Sequence, residues 1–351
     1  MTSKTVFVLG AGFTRAFYPE MPLLIDKKLV EPLRVAARGL PTASAVLEAE
    51  IRLAGGTAVN VERLMTRLDS GTPFDEAGRT QAELSLLLAT LRTEFVQRIR
   101  DARNAYREEL RQDLLAFAGA LIERQITCIT LNYDDALDEQ LAQAARNHGR
   151  PMDIGWDPEW GYGVPLRPPN WVMGGDETPE SRNTLLLKLH GSMNWRVRRG
   201  YVPPYPLNAV VHVSPWADEQ VSPSNDYDPF LESDPLIIPP VMLKNDLPAQ
   251  PLFRAIWARA RDELRRATRI VFIGYSMPVT DLAVRALFAE SVLLRCRIQV
   301  VDLGRGTGSR RRLQDAYGAV FPGDRLGNSE SWKWMDASSW ARGFVREDPG
   351  A

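Results

Sequence analysis

The chain has 351 residues, 44% of them apolar and 25% charged, with a formal net charge of −1. That length buries a substantial core, as one large domain with insertions or two modest ones, and the composition is ordinary for a globular protein in water. The charge balance gives no electrostatic case for direct nucleic-acid or membrane binding.

The opening MTSKTVFVLGAGF holds a short apolar run that meets glycine at once, too short for the core of a signal peptide or a membrane span, so a cytoplasmic location is expected. KTVFVLG followed by AGFTRAF reads as strand, tight glycine turn and helix. Residues 23–125 show apolar positions at three and four spacing and read as a helical insertion, interrupted by the Gly, Pro and Asp of Ser70 to Gly78. Strand character returns at ITCITL, then come the polar NYDD and the helix ALDEQLAQAARNHG. Segments 151–182 and 201–234, rich in Pro, Gly and aromatic residues, read as ordered loop excursions around the strand TLLLKL, with NAVVHVS a candidate short strand. A helix, the strand RIVFIG, the turn YSMPVTD, a second helix and the strand RIQVVD follow. Residues 305–351 read as one more helix and a polar tail.

Strongly apolar strands separated by helices, each ending in a polar or glycine-bearing turn, predict an α/β fold with a parallel sheet covered on both faces. The sheet core is expected from residues 1–22 and 126–304 of a single domain. Ligands of such sheets bind outside the carboxyl ends of the strands. The two cysteines, Cys128 and Cys296, each lie inside a predicted strand and read as small buried hydrophobes. A structural zinc held by four cysteines is impossible within one such chain.

Four strand-end turns stand out. In VLGAGFTRAF a G-x-G turn allows close backbone approach to a pyrophosphate, although Arg15 occupies the place of the third glycine in the dinucleotide fingerprint. In TLNYDDALDEQL, Asn132 and Asp134 sit where strand passes to helix, a position that suits either helix capping or a site. In LLLKLHGSMNW a strand ends on His190, one of only three histidines, with Gly191 beside it. In VFIGYSMPVTD, Gly274 and Ser276 make another turn and Thr280 or Asp281 is a candidate cap for the next helix. Asp302, at the tip of IQVVD, is either a solvated acid or a ligand for the hydroxyls of an adenosine ribose.

Taken in order, GAGFTRA, TLNYDD, KLHGSMNW, PLIIPP and IGYSMPVTD closely resemble the sirtuin-like family, in particular its bacterial NAD-consuming branch. The resemblance implies an inverted Rossmann-like domain that binds NAD, with Gly10, Ala11, Gly12, Phe13 and Thr14 around the pyrophosphate. It implies Asn132 and His190 as the catalytic pair with Asp134 beside them, Gly274, Tyr275 and Ser276 on the adenosine side, and Asp302 as a looser candidate there. Deacylating members carry a four-cysteine zinc ribbon; this chain has no such set and no metal is expected. The Asp-Phe-Arg turn of the deacylases is replaced by YPEMPLLIDKK.

Cleavage of NAD between ribose C1′ and nicotinamide leaves a cationic sugar, as in other glycoside cleavages. Asn132 suits holding a water and a ribose hydroxyl, His190 suits accepting a proton, and Asp134 suits orienting the pair. Trp156, Trp160, Trp171 and Trp195 are candidates for a pocket wall or lid, with ordinary packing the default. The expected activity is NAD hydrolysis to nicotinamide and ADP-ribose. The resemblance alone implies a place in bacterial antiphage defence by NAD depletion, with control by homo-oligomerisation or a separate regulatory protein. The alternatives are a non-catalytic module that binds NAD or ADP-ribose, and an ADP-ribosyltransferase.

Overall fold

A computed structural model describes residues 4–69, 79–147, 155–169, 184–214, 230–232, 234–238 and 249–347. The chain forms two compact units, one comprising Met1–Tyr18, Tyr106–Ile237 and Asp246–Ala351, the other Pro19–Ala105 and Ile238–Asn245.

The first unit is built on six strands: β1 (Thr5–Leu9), β4 (Thr127–Thr130), β5 (Leu186–Lys188), β8 (Arg269–Ile273), β9 (Arg297–Asp302) and β10 (Trp332–Trp334). They lie in the order β10-β9-β8-β1-β4-β5, and every pairing is parallel. A parallel sheet is covered on both faces, so its inner strands read as unbroken apolar runs rather than as alternation. β1 is the central case, with Val6, Phe7, Val8 and Leu9 all buried.

Successive side chains of a strand point to opposite faces. On one face Phe7 packs at 6.1 Å from Phe117 of α6 (Glu108–Glu123) and at 5.4 and 5.2 Å from Trp340 and Phe344 of α11 (Ala337–Arg346). On the other, Phe272 of β8 meets Phe288 of α9 (Leu282–Ser291) at 5.1 Å and Tyr317 of α10 (Thr307–Gly318) at 5.2 Å. The expected two-faced α/β sheet is therefore present. A small antiparallel pair, β6 (Trp195–Val197) and β7 (Val210–His212), lies beside it. Cys128 and Cys296 are free and buried, and burial pushes the Cys296 thiol up to about 11.

The C-terminal segment differs from a polar tail. Beyond α10 it supplies β10, in register with β9 through Trp332 and Val300, and then α11. Its polar residues hid two short elements: Trp332 and Trp334 stack at 5.1 Å, and Ala337, Ala341 and Phe344 form the buried stripe of a helix only one face of which is apolar. Asp336 caps that helix by accepting hydrogen bonds from Ser339 N at 2.9 Å and Ser338 Oγ at 2.6 Å. Partial burial pushes its carboxyl up, but the bonds from Ser338 and Ser339 outweigh burial and bring it to about 2. Asp336→Ala is expected to cost about 1 kcal/mol in denaturant unfolding at neutral pH. Since the folded-state value lies below the ordinary 3.8, the contribution is complete above about pH 4 and is lost as pH falls towards 2, so the difference between variant and wild type should shrink there.

The second unit holds α2 (Val30–Ala36), α3 (Pro41–Leu53), α4 (Val61–Asp69), α5 (Arg79–Asn104) and a two-residue antiparallel pair, β2 (Ile25–Asp26) with β3 (Val59–Asn60). Glu83 of α5 accepts from Thr42 N at 2.8 Å, and so satisfies a free amide in the first turn of α3. Glu50 holds Arg63 through two bonds of 2.6 and 2.7 Å. The helical insertion expected to run to residue 125 thus differs from this unit at its end, because α6 belongs with the sheet. No helix among the described residues is long and apolar enough to cross a membrane.

Candidate functional site

From β1 the chain passes to β4 and β5 on one side, then to β8 and β9 on the other, so strand order reverses between β1 and β8. A reversal of this kind opens a crevice at the carboxyl edge of the sheet. The turns that follow β1 and β8 meet there. Gly10 N donates to Ile273 O at 3.0 Å and Gly12 N to Gly274 O at 2.9 Å. A Cβ on Gly10 would stand 2.6 Å from Tyr275 Cα, and one on Gly12 2.9 Å from Gly274 Cα, while Gly274 itself has a φ of +61°. The glycines of GAG are thus required by the loop packed against them. Ala11, at the head of α1 (Ala11–Phe17), is exposed and Gly12 is half-buried, so this edge is open to solvent. The side chain of Phe13 turns inward, 5.1 Å from Phe17 and 5.6 Å from Phe117, and leaves only its backbone at the turn.

Asn132 follows β4 and is 9% exposed. Its Nδ2 donates to Gly10 O at 2.9 Å and to Thr14 Oγ1 at 2.8 Å. With both amide hydrogens engaged, Oδ1 is the atom that Asn132 can offer a ligand, as an acceptor. In the parallel register Thr130 pairs with Lys188, which puts Asn132 and His190 each two residues beyond paired positions on adjacent strands. Two bonds hold these strand ends together, Leu189 N to Thr130 O at 3.0 Å and Met193 N to Tyr133 O at 2.8 Å. The His190 ring stacks on Tyr133 with centroids 6.1 Å apart. Gly191 bends the chain after it with a φ of +81°, where the Leu236 carbonyl leaves no room for a side chain.

Asp281 is, beside Thr280, a candidate helix cap in the sequence, yet its side chain makes no capping bond to α9. Asp281 is 5% exposed, and its Oδ2 lies 3.7 Å from His190 Nε2 and 3.5 Å from the Tyr275 hydroxyl. Burial, with the Asp281 charge adding to it, raises Tyr275 well above its usual value and keeps it a proton donor. An acid beyond the last turn residue carries no signal in the sequence that separates a cap from a partner of a distant imidazole. Lys188 was also passed over; one lysine at the end of an apolar strand reads as an edge residue, but it is 1% exposed.

The remaining predicted residues are less concentrated. The Asp134 carboxylate accepts from Ala136 N at 3.1 Å, at the start of α7 (Ala136–Asn147), which is the capping geometry. Ser276 is exposed at the mouth of the turn, whereas the Tyr275 ring packs inward against Phe288. Asp302 ends β9, bonded to Gly304 N at 3.0 Å, and burial pushes its carboxyl up. Trp156 and Trp195 sandwich Tyr162 at 5.3 and 5.1 Å and are core residues; Trp171 lies outside the described residues. Among the described residues no group of three or more His, Cys, Asp or Glu side chains stands together as metal ligands.

No curated protein matches the chain. Among solved structures it is similar to a complex of a Sir2 homologue with NAD, at 14% identity and a TM-score of 0.44, covering 98% of this chain and 88% of the other. It is also similar to a mutant Sir2 homologue bound to ADP-ribose, at 15% identity and a TM-score of 0.38, covering 98% and 90%. Residues 126–292, the stretch that carries Asn132, His190 and Asp281, match the family model of a SIR2-like domain.

Proposed function

We propose that the protein binds NAD at the β1/β8 crevice and hydrolyses it to nicotinamide and ADP-ribose. The observation that carries this reading is the pairing of Asn132, its amide fixed by Gly10 and Thr14, with His190 at the matching position of the next strand end. In this reading the backbone of Gly10, Ala11, Gly12 and Phe13 with Thr14 borders the pyrophosphate, and Gly274, Tyr275, Ser276 and Asp302 border the adenosine. The departing nicotinamide leaves as a neutral ring, so the protein needs no acid to expel it. Its task is to support positive charge on the ribose and to guide a water. Asn132 Oδ1 accepts a hydrogen bond from that water or from a ribose hydroxyl. His190 takes the proton, and Asp281 favours the imidazolium that results.

Unregulated turnover would drain a cell of cofactor, so control by self-association or by a separate chain belongs to the same proposal. Defence of a bacterium against phage is the role we assign it, on the sequence resemblance alone. Expression in a phage-challenged host tests that role: protection that survives His190→Ala counts against it.

The activity is tested by incubating the full chain with NAD and following both products. Equal amounts of nicotinamide and ADP-ribose are expected. Nicotinamide without matching ADP-ribose marks transfer to an acceptor instead, and binding without release marks a receptor. Asp281→Asn removes the charge while keeping the shape, and is expected to slow nicotinamide release by about tenfold. An unchanged rate would take Asp281 out of the working site.

A further inference from the structure

Beneath the proposed site runs a buried polar chain that the chemistry above does not use. Lys188 Nζ donates to the Asp134 carbonyl at 2.5 Å and lies 3.1 and 3.3 Å from the two carboxylate oxygens of Asp138. Lys188 and Asp138 are each 1% exposed. The Tyr162 hydroxyl donates to Asp138 Oδ1 at 2.6 Å, and Asn194 Nδ2 donates to the Tyr162 oxygen at 3.0 Å and to Ser214 Oγ at 3.0 Å. Ser192 Oγ closes the chain by donating to Asn194 Oδ1 at 2.5 Å. Burial raises the Asp138 carboxyl, and the Lys188 ammonium and Tyr162 hydroxyl oppose that rise.

Taking two charges out of water is costly, and a well-packed apolar pair of similar volume is commonly as stable or more so. Stability therefore does not account for Lys188. What an apolar pair cannot do is direct a carbonyl. The Asp134 carbonyl belongs to the loop that carries Asn132, and the Lys188 backbone leads in two residues to His190. Ser192 and Asn194 grip the chain on the far side of that histidine. One network thus holds both loops at three points.

We propose that Lys188, with Asp138 as its counter-charge, is a positioning residue that sets the placement of Asn132 relative to His190. This rests on the hydrolase reading above, and the test keeps the two separable. The full chain carrying Lys188→Met together with Asp138→Asn removes both charges at nearly constant volume. Three quantities are compared with wild type: the thermal midpoint, hydrogen exchange of the backbone amides of Asn132 and Met193, and steady-state nicotinamide release. The thermal midpoint is expected to be unchanged or higher, and exchange at Asn132 and Met193 to speed up by about tenfold or more. kcat is expected to fall by about ten- to a hundredfold with a much smaller change in KM.

Wild-type exchange in the double variant overturns the proposal, and so does faster exchange with an unaltered kcat. If the wild type releases no nicotinamide, the hydrolase reading fails, and exchange at the two amides still decides whether Lys188 fixes the loops. Should the double variant not fold, Tyr162→Phe loosens Asp138 while keeping the ion pair. A smaller change in exchange and kcat in the same direction is then expected, and no change in either overturns the proposal.

Discussion

Replacing His190 by alanine is expected to leave a folded protein that releases nicotinamide from NAD about a hundredfold to ten-thousandfold more slowly, the usual loss when a positioned base is removed. Folding should survive with a modest loss of stability: the imidazole is buried, stacked on Tyr133 and facing Asp281, but the bend after it is enforced by Gly191. Asn132→Ala is expected to cost a similar factor by another route. It removes the acceptor offered in the proposed site and also takes one donor from Gly10 O, which keeps Phe13 N, and one from Thr14 Oγ1, so a modest loss of stability accompanies the loss of rate. Product release by the purified variants, beside thermal unfolding, separates the two effects. Near wild-type turnover in either variant would remove that residue from its assigned role.

Gly274→Ala should produce a large structural effect for a single methyl group. The position has a φ of +61°, and an added Cβ would press on the backbone of Gly12 and Phe13. Neither neighbour can retreat, since Gly12 N is bonded to Gly274 O and Phe13 is locked into the aromatic core. The combined conformational and steric cost is on the order of 3 kcal/mol, and NAD binding should weaken in parallel because both turns border the proposed site. Gly308→Ala is the control. Nothing lies within 4 Å of its added Cβ, in the first turn of α10, and the change should be neutral or stabilising by up to about 1 kcal/mol. Denaturant unfolding and NAD titration of both variants measure this contrast, and wild-type stability in Gly274→Ala would refute the packing argument.

The parallel sheet was readable because apolar strands such as TVFVL and RIVFI are buried on both faces and break into glycine turns. β10 and α11 were not, because an edge strand of three residues and a helix that buries one face present mixed composition to a reader of local pattern. The same distinction governs the site. Asn132 and His190 declared themselves as polar residues at the tips of apolar strands. Asp281 and Lys188 did not: what matters about them is a partner 91 and 50 positions away in the chain, and no local period encodes such a contact. The glycines of GAG were legible in position, and to the phosphate approach they suggested the fold adds a second cause, the packing of the Gly274 turn against them.

The burial of β1 has a consequence for biosynthesis. Leu9 meets the Thr130 hydroxyl 121 positions away, and Lys4 accepts a bond from Thr268 at a separation of 264. Phe7 is not enclosed until Trp340 and Phe344 have been made. β1 must therefore wait for Trp340 and Phe344 before its central place is filled, and such distant pairings slow folding. An unfinished chain can carry Asn132 and His190, yet it lacks the β8 turn that shapes the crevice. Under the hydrolase reading proposed above, a product cut short before β8 is expected to be inert towards the dinucleotide.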